Sequence, residues 1–163
     1  HPIPRRQRQM CIRDSLDVKG IRGNIATRIK KLEEGKYDAI VLARAGLELL
    51  GLEKMITHTF DFDHMLPAVG QGVIAIQTRT MSPYTALIRQ INHLDTFYCV
   101  LAERTALKFL DGDCHSAVGI LAQVTGDCIT LKAINYNNMK DCTVTGKILD
   151  YKQIGEQVGL AIK

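Results

Sequence analysis

The chain has 163 residues, 46% hydrophobic and 23% charged, with a formal net charge of +4. That length allows one sizeable core or two small ones, and no apolar run approaches the roughly 20 residues a membrane-spanning helix needs. The opening His1-Pro2-Ile3-Pro4 also lacks the apolar stretch of a signal peptide, so a cytoplasmic protein with no membrane partner is expected.

In chain order, 18–21 reads as a short strand that Gly23-Asn24 turns into a helix over 25–34. Ile25, Ile29 and Leu32 recur there at helical spacing, and Gly35 supplies the stop. Residues 37–43 follow as a strand whose Ala39-Ile40-Val41-Leu42-Ala43 core is apolar on both faces, as parallel strands tend to be, giving a β-α-β unit. A short helix over 45–50 closes at Gly51, and 60–65 is irregular or strand-like. The turn Pro67-Ala68-Val69-Gly70-Gln71-Gly72 leads into a predicted strand over 73–78, a helix from Pro83 to about residue 93, and a longer one over 95–110.

The composition then shifts to hairpins. Strands are predicted over 118–124, 129–135 and 144–149, with turns at Gly126-Asp127 and Asn137-Asn138, and an amphipathic helix over 151–162 closes the chain. The sequence contains no internal repeat and no low-complexity tract.

Charge is unevenly placed. Arg5, Arg6, Arg8, Arg13, Lys19, Arg22, Arg28, Lys30 and Lys31 fall in the first 31 residues against two aspartates, which points to an anionic partner. Nucleic acid and a small polycarboxylate both fit. Aromatic residues weigh against nucleic acid, because the chain has no Trp and no Phe or Tyr interleaves with the basic cluster to stack bases.

The five cysteines are Cys11, Cys99, Cys114, Cys128 and Cys142, an odd number without a C-x-x-C pair. Neither a disulfide framework nor a structural zinc site is expected from that spacing, and the scattered His58, His64 and His93 argue against any metal. Cys99, Cys128 and Cys142 read as small apolar fillers or chance surface thiols. Lys30, Lys31, Glu33 and Glu34 read as a solvated helical face.

Three strings stand out: Ile21-Arg22-Gly23-Asn24-Ile25-Ala26-Thr27-Arg28, Leu66-Pro67-Ala68-Val69-Gly70-Gln71-Gly72, and Leu110-Asp111-Gly112-Asp113-Cys114-His115-Ser116-Ala117-Val118-Gly119. With Ala102-Glu103-Arg104 ahead of the cysteine, they make the chain from about Val18 onward resemble the hydroxymethylbilane synthases, also called porphobilinogen deaminases. The resemblance implies a transferase of tetrapyrrole (haem or chlorophyll) biosynthesis. It joins four porphobilinogen units head to tail, with loss of ammonia at each step, onto a cysteine-linked dipyrromethane primer, and then releases hydroxymethylbilane by hydrolysis.

The implied fold is α/β: part of a periplasmic-binding-protein-like lobe, then a small α+β C-terminal domain with a three-stranded antiparallel sheet. Domain limits on this reading are 18–66 in the second α/β domain, 67–93 as crossover and return to the first, and 94–163 as the cofactor-carrying domain. The family's catalytic aspartate would lie in an N-terminal region without a counterpart here, so the isolated chain is expected to be an inactive fragment. Residues 1–17 match poorly, lacking an expected apolar helix, and read as foreign sequence. A monomer is implied, cytoplasmic or, in a photosynthetic eukaryote, plastidic.

By the same resemblance Cys114 carries the dipyrromethane cofactor as a thioether. Arg22, Arg28, Arg104 and Gln71 contact that cofactor, and Arg22, Arg28, Arg5 and Arg6 bind substrate carboxylates. Arginine suits the task, since its planar, permanently charged fork grips carboxylates bidentately. Arg28 sits in the first turns of a helix, where a cation complements the dipole badly, which itself points to a partner. Taken alone, Arg22 could be a surface arginine, Gly70-Gln71-Gly72 a plain hinge, and Arg104 half of an exposed ion pair with Glu103.

Two positions depart from the family pattern. Leu49 stands where relatives have a carboxylate-binding arginine, and Asp113 replaces a glycine beside the cysteine, where an acid disfavours the thiolate. His115 reads as an exposed loop histidine. The competing class is a non-catalytic anion-binding module like a solute-binding lobe, which gives no reason for the Cys114 loop; a nucleic-acid binder would explain the basic segment alone.

Overall fold

A computed structural model describes residues 16–111 and 116–163. The chain divides into two compact units, one ending at Met65 and one running from Leu66 to Lys163.

In the first unit, α1 (Ile25–Glu33) starts at Asn24, whose side-chain oxygen accepts from the Thr27 N–H at 2.8 Å. It ends where Gly35 takes φ +68°, so that the Gly35 N–H reaches the Leu32 carbonyl and the Lys36 N–H reaches the Lys31 carbonyl. Helix α2 (Arg44–Glu48) closes the same way at Gly51, and a 3₁₀ turn follows at Glu53–Met55. Among the described residues of this unit, Ile29 and Leu47 are the buried apolar side chains.

The second unit holds α3 (Thr85–Arg89), α4 (Leu94–Phe109), β1 (Val118–Thr125), β2 (Cys128–Asn135), β3 (Lys140–Lys147), a 3₁₀ turn (Ile148–Asp150) and α5 (Tyr151–Ala161). The strands form an antiparallel sheet in the order β1-β2-β3. Register runs from Val118 opposite Asn135 to Thr125 opposite Cys128, and from Cys128 opposite Lys147 to Asn135 opposite Lys140. Gly126 at φ +59° makes the two-residue turn between β1 and β2.

Alternation along the strands sends Val118, Ile120, Ala122, Ile129, Leu131 and Ala133 to one face. There they meet Ala102 and Ala106 of α4 and Ile154, Val158 and Ile162 at the C-terminal helix. Helices α4 and α5 approach closely because Gly155 and Gly159 face α4; a Cβ on Gly155 would lie 2.7 Å from the Ala102 carbonyl oxygen. Asn135 closes the core by donating from its amide to the Ile162 carbonyl at 2.9 Å.

The mixed α/β class and the three-stranded antiparallel sheet agree with the sequence reading; the β-α-β unit does not. Segments 18–21, 37–43 and 73–78 form no strand, the three-stranded sheet being the only one among the described residues. A parallel strand needs ladder partners and covering helices, and these segments have no ladder partner here. Ile40, Val41 and Leu42 stay half-buried, and Ile74 is 89% exposed. The helix expected from Pro83 shortens to Thr85–Arg89, with no buried residue to anchor more turns. Strand β3 starts earlier than predicted because its register with β2 carries the ladder back to Lys140, while 148–150 leaves the sheet.

Candidate functional site

Arg22-Gly23-Asn24 forms the loop that opens α1. Gly23 is required on two counts: its φ is +122°, and a Cβ there would lie 2.8 Å from the Thr27 methyl. Three long side chains tie this loop down by donating to its carbonyls. Tyr37 Oη donates to Gly20 at 2.9 Å, Lys31 Nζ to Arg22 at 2.9 Å, and Arg28 Nε to Gly23 at 2.7 Å.

Arg28 therefore has a partner, as its position in the helix demanded, and that partner is its own loop. Lys31 is likewise more than solvated surface, since it braces the backbone of Arg22. Arg22 itself is exposed, while Lys31 holds its carbonyl in place. Beyond the Nε bond, Arg28 makes no other hydrogen bond among the described residues, leaving the outer nitrogens of its fork available to an anion.

The second unit holds the Gly70-Gln71-Gly72 turn. Both glycines have positive φ, +68° and +84°, and the Gln71 N–H closes the turn on the Ala68 carbonyl at 2.9 Å. Just before the turn, the Pro67 carbonyl accepts from the Ile120 N–H at 3.0 Å, so this segment lies along the outer edge of β1. Gly119 permits that approach, because a Cβ there would come within 2.6 Å of the Leu66 Cβ.

Helix α4 turns Glu103 inward, 6% exposed, and leaves Arg104 exposed. The exposed Glu103–Arg104 ion pair, the alternative reading of Arg104, does not form. Instead the Gly70 N–H donates to Glu103 Oε2 at 2.7 Å and the Ala122 N–H donates to Oε1 at 2.9 Å. Burial raises the Glu103 carboxyl above its ordinary range, and the two amide donors pull in the opposite direction.

Sequence reasoning missed Glu103. The signal was present: in α4 it falls four residues after Cys99 and three before Ala106, a lone charge in the apolar stripe. It also missed His93, whose ring nitrogen caps α4 by accepting from the Thr96 N–H at 3.3 Å.

The other predicted positions sort by location. Arg22 and Arg28 belong to the first unit, Gln71 and Arg104 to the second. Cys114, Asp113, His115, Arg5 and Arg6 lie outside the described residues. Leu49, the departure from the family arginine, follows α2 and is 87% exposed. Cys99 packs against the core, its thiol pushed up by burial first and then by the Glu103 and Asp95 carboxylates, so it is an inert filler. Cys142 also packs there, and Cys128 is an exposed surface thiol. No group of three or more potential metal ligands occurs among the described residues.

Two family models match the chain in sequence order. Residues 3–86 match the porphobilinogen deaminase dipyromethane cofactor binding domain, and residues 97–163 match the porphobilinogen deaminase C-terminal domain. The chain belongs to the porphobilinogen deaminase family.

A porphobilinogen deaminase of Clostridium botulinum is 37% identical over 151 residues, which is 93% of this chain and 51% of that protein. One from Clostridium acetobutylicum is 37% identical over 148 residues, 89% of this chain and 50% of its own length. An Acidithiobacillus ferrooxidans porphobilinogen deaminase reaches 46% over 132 residues, 80% of this chain and 43% of that protein. The chain thus spans about half the length of the curated relatives it matches. The Arg22 loop falls within the first family match, and Cys114, Glu103 and Arg104 within the second.

Proposed function

We propose that this chain is the C-terminal portion of a hydroxymethylbilane synthase, a cytoplasmic, monomeric transferase that condenses porphobilinogen on a dipyrromethane held by Cys114. Two family matches in order, the second spanning the Cys114 loop, carry the reading. Among the described residues no helix is long and apolar enough to cross a membrane. In this reading, segments 18–21, 37–43 and 73–78 take up their strand pairing only against the rest of the enzyme, in periplasmic-binding-protein-like lobes.

The donor set fits the cofactor and substrate. Every pyrrole unit carries an acetate and a propionate, so a growing chain accumulates carboxylates that need fixed cations around them. Arg22 is exposed at the opening of α1, beside a glycine that lets a ligand approach the backbone. Arg28 has one edge of its guanidinium anchored on Gly23, which fixes the fork's direction before an anion arrives. Because the loop is braced through its carbonyls, little conformational freedom is lost on binding. When bound, dipyrromethane supplies the pyrrole terminus on which the product is built. Cys114 contributes sulfur for a thioether that survives turnover, and Gln71 and Arg104 contribute polar contacts to its substituents.

Joining the chain to its upstream coding sequence, or to the N-terminal half of a relative, and assaying porphobilinogen consumption tests the proposal. Turnover that vanishes on Cys114→Ser is the expected result, and a soluble, folded, full-length enzyme without activity would overturn it. The 163-residue chain alone should consume no porphobilinogen, because stabilising positive charge on the reacting pyrrole falls to the aspartate of the other half.

A further inference from the structure

The edge strand β1 presents outward N–H groups that must find acceptors. Two of these are satisfied from outside the sheet: Ile120 by the Pro67 carbonyl and Ala122 by Glu103 Oε1. The second oxygen of the same carboxylate takes the N–H of Gly70, within a turn whose two glycines impose no stiffness of their own. A carboxylate accepts at both oxygens whereas an amide accepts at one, so a charged residue is the side chain that can join two backbone donors here. Placing it in the apolar stripe of α4 costs desolvation, which a residue needed only for packing would not incur.

We propose that Glu103 is a positioning residue: its carboxylate bridges the Gly70 and Ala122 amides, pinning the Gly70-Gln71-Gly72 turn to the edge of β1. The bridge fixes Gln71 with respect to α4, the helix that precedes Cys114 in the sequence. Its consequence for holding the cofactor rests on the proposed function; the bridge itself does not.

Few other ionisable groups bear on Glu103. Segment 66–72 and β1 contain none, and α4 contributes Cys99 one turn earlier and the exposed Arg104. Helix α5 contributes Tyr151 and the exposed Lys152 and Glu156, and Lys132 of β2 alternates to the opposite face of the sheet from Leu131. A pH response shared by the two amides would thus report the Glu103 carboxyl.

The test uses the 163-residue chain labelled with ¹⁵N and ¹³C. Expected are pH-dependent shifts of the Gly70 and Ala122 amides that share one midpoint with the Glu103 carboxyl carbon, above the ordinary carboxylate range. In Glu103→Gln both titrations vanish and one of the two amides, Gly70 or Ala122, exchanges its hydrogen about tenfold faster relative to Leu131 and Val158, since the side-chain amide accepts at one oxygen only. Glu103→Asp, one methylene shorter, should protect one of the two amides but not both. Separate midpoints, no titration, or unchanged exchange of both the Gly70 and the Ala122 amides in a folded Glu103→Gln chain would each overturn the bridge. Should that variant fail to fold, the titration of the unmodified chain decides alone. Neither readout involves porphobilinogen, so failure of the bridge and failure of the proposed enzyme activity are distinguishable.

Discussion

The two units of this chain are held together differently. From Leu66 onward, the inward faces of β1 and β2 and the facing sides of α4 and α5 make a continuous core with Leu131, Ile120, Ile129 and Val158 fully enclosed. Up to Met65, burial among the described residues is confined to Ile29 and Leu47, and order comes from helix caps and from Tyr37, Arg28 and Lys31 donating to loop carbonyls. A hydrophobic core is stable wherever its own residues meet. A lattice of side-chain-to-backbone bonds instead fixes the shape of one loop, the one with the exposed arginine, while contributing about 1 kcal/mol per bond.

That contrast can be broken from either side. The largest effect is expected for Leu131→Ala, which should cost about 2–5 kcal/mol in urea unfolding of the second unit through lost burial and a cavity. Hydrogen exchange followed by mass spectrometry should show α1 unaffected; if α1 loses protection in step, the two units are one cooperative body.

Gly23→Ala attacks the other unit. Forcing a Cβ into φ +122° against Thr27 should cost about 1–3 kcal/mol. The loss should appear as faster exchange over 24–33 with the Leu131 and Val158 amides unchanged.

Glu103→Gln probes the one charged side chain buried in the second unit's core among the described residues. Its carboxyl is raised in the folded chain, so between the ordinary carboxylate value and the raised one the folded state holds a proton that the unfolded state releases. Stability from this group is therefore present at low pH and lost as pH rises through that window. Urea midpoints measured across the acidic range should show that fall in the unmodified chain and a flatter profile in Glu103→Gln. Smallest in stability is Arg22→Lys, expected within about 0.5 kcal/mol of the original. Within a complete enzyme it should nevertheless slow loading of successive porphobilinogen units, because the bidentate fork is gone. Unfolding without a kinetic effect would make Arg22 structural.

What the sequence revealed divides instead by how local each signal is. Helices α1, α4 and α5 and both hairpins were legible because their signals are local: Asn24 and Gly35 cap α1, Gly126-Asp127 turns the first hairpin, and alternation from Val118 to Asn135 sets the sheet. Segments 18–21, 37–43 and 73–78 were read as strands on composition, but a ladder depends on what lies alongside, and apolar residues such as Ile74 cannot report that. Arg22 and Gln71 were singled out through motif residues, while Glu103 was passed over for its exposed neighbour Arg104. Which of two adjacent helical residues points inward depends on the stripe from Cys99 to Ala106, and that stripe had to be weighed against the motif.

The most direct test of the central claim is peptide-mapping mass spectrometry on the chain joined to an N-terminal half and purified active. The account predicts a stoichiometric two-pyrrole adduct on the peptide containing Cys114, with Cys11, Cys99, Cys128 and Cys142 unmodified. An adduct on any other cysteine, or turnover with Cys114 bare, would contradict it.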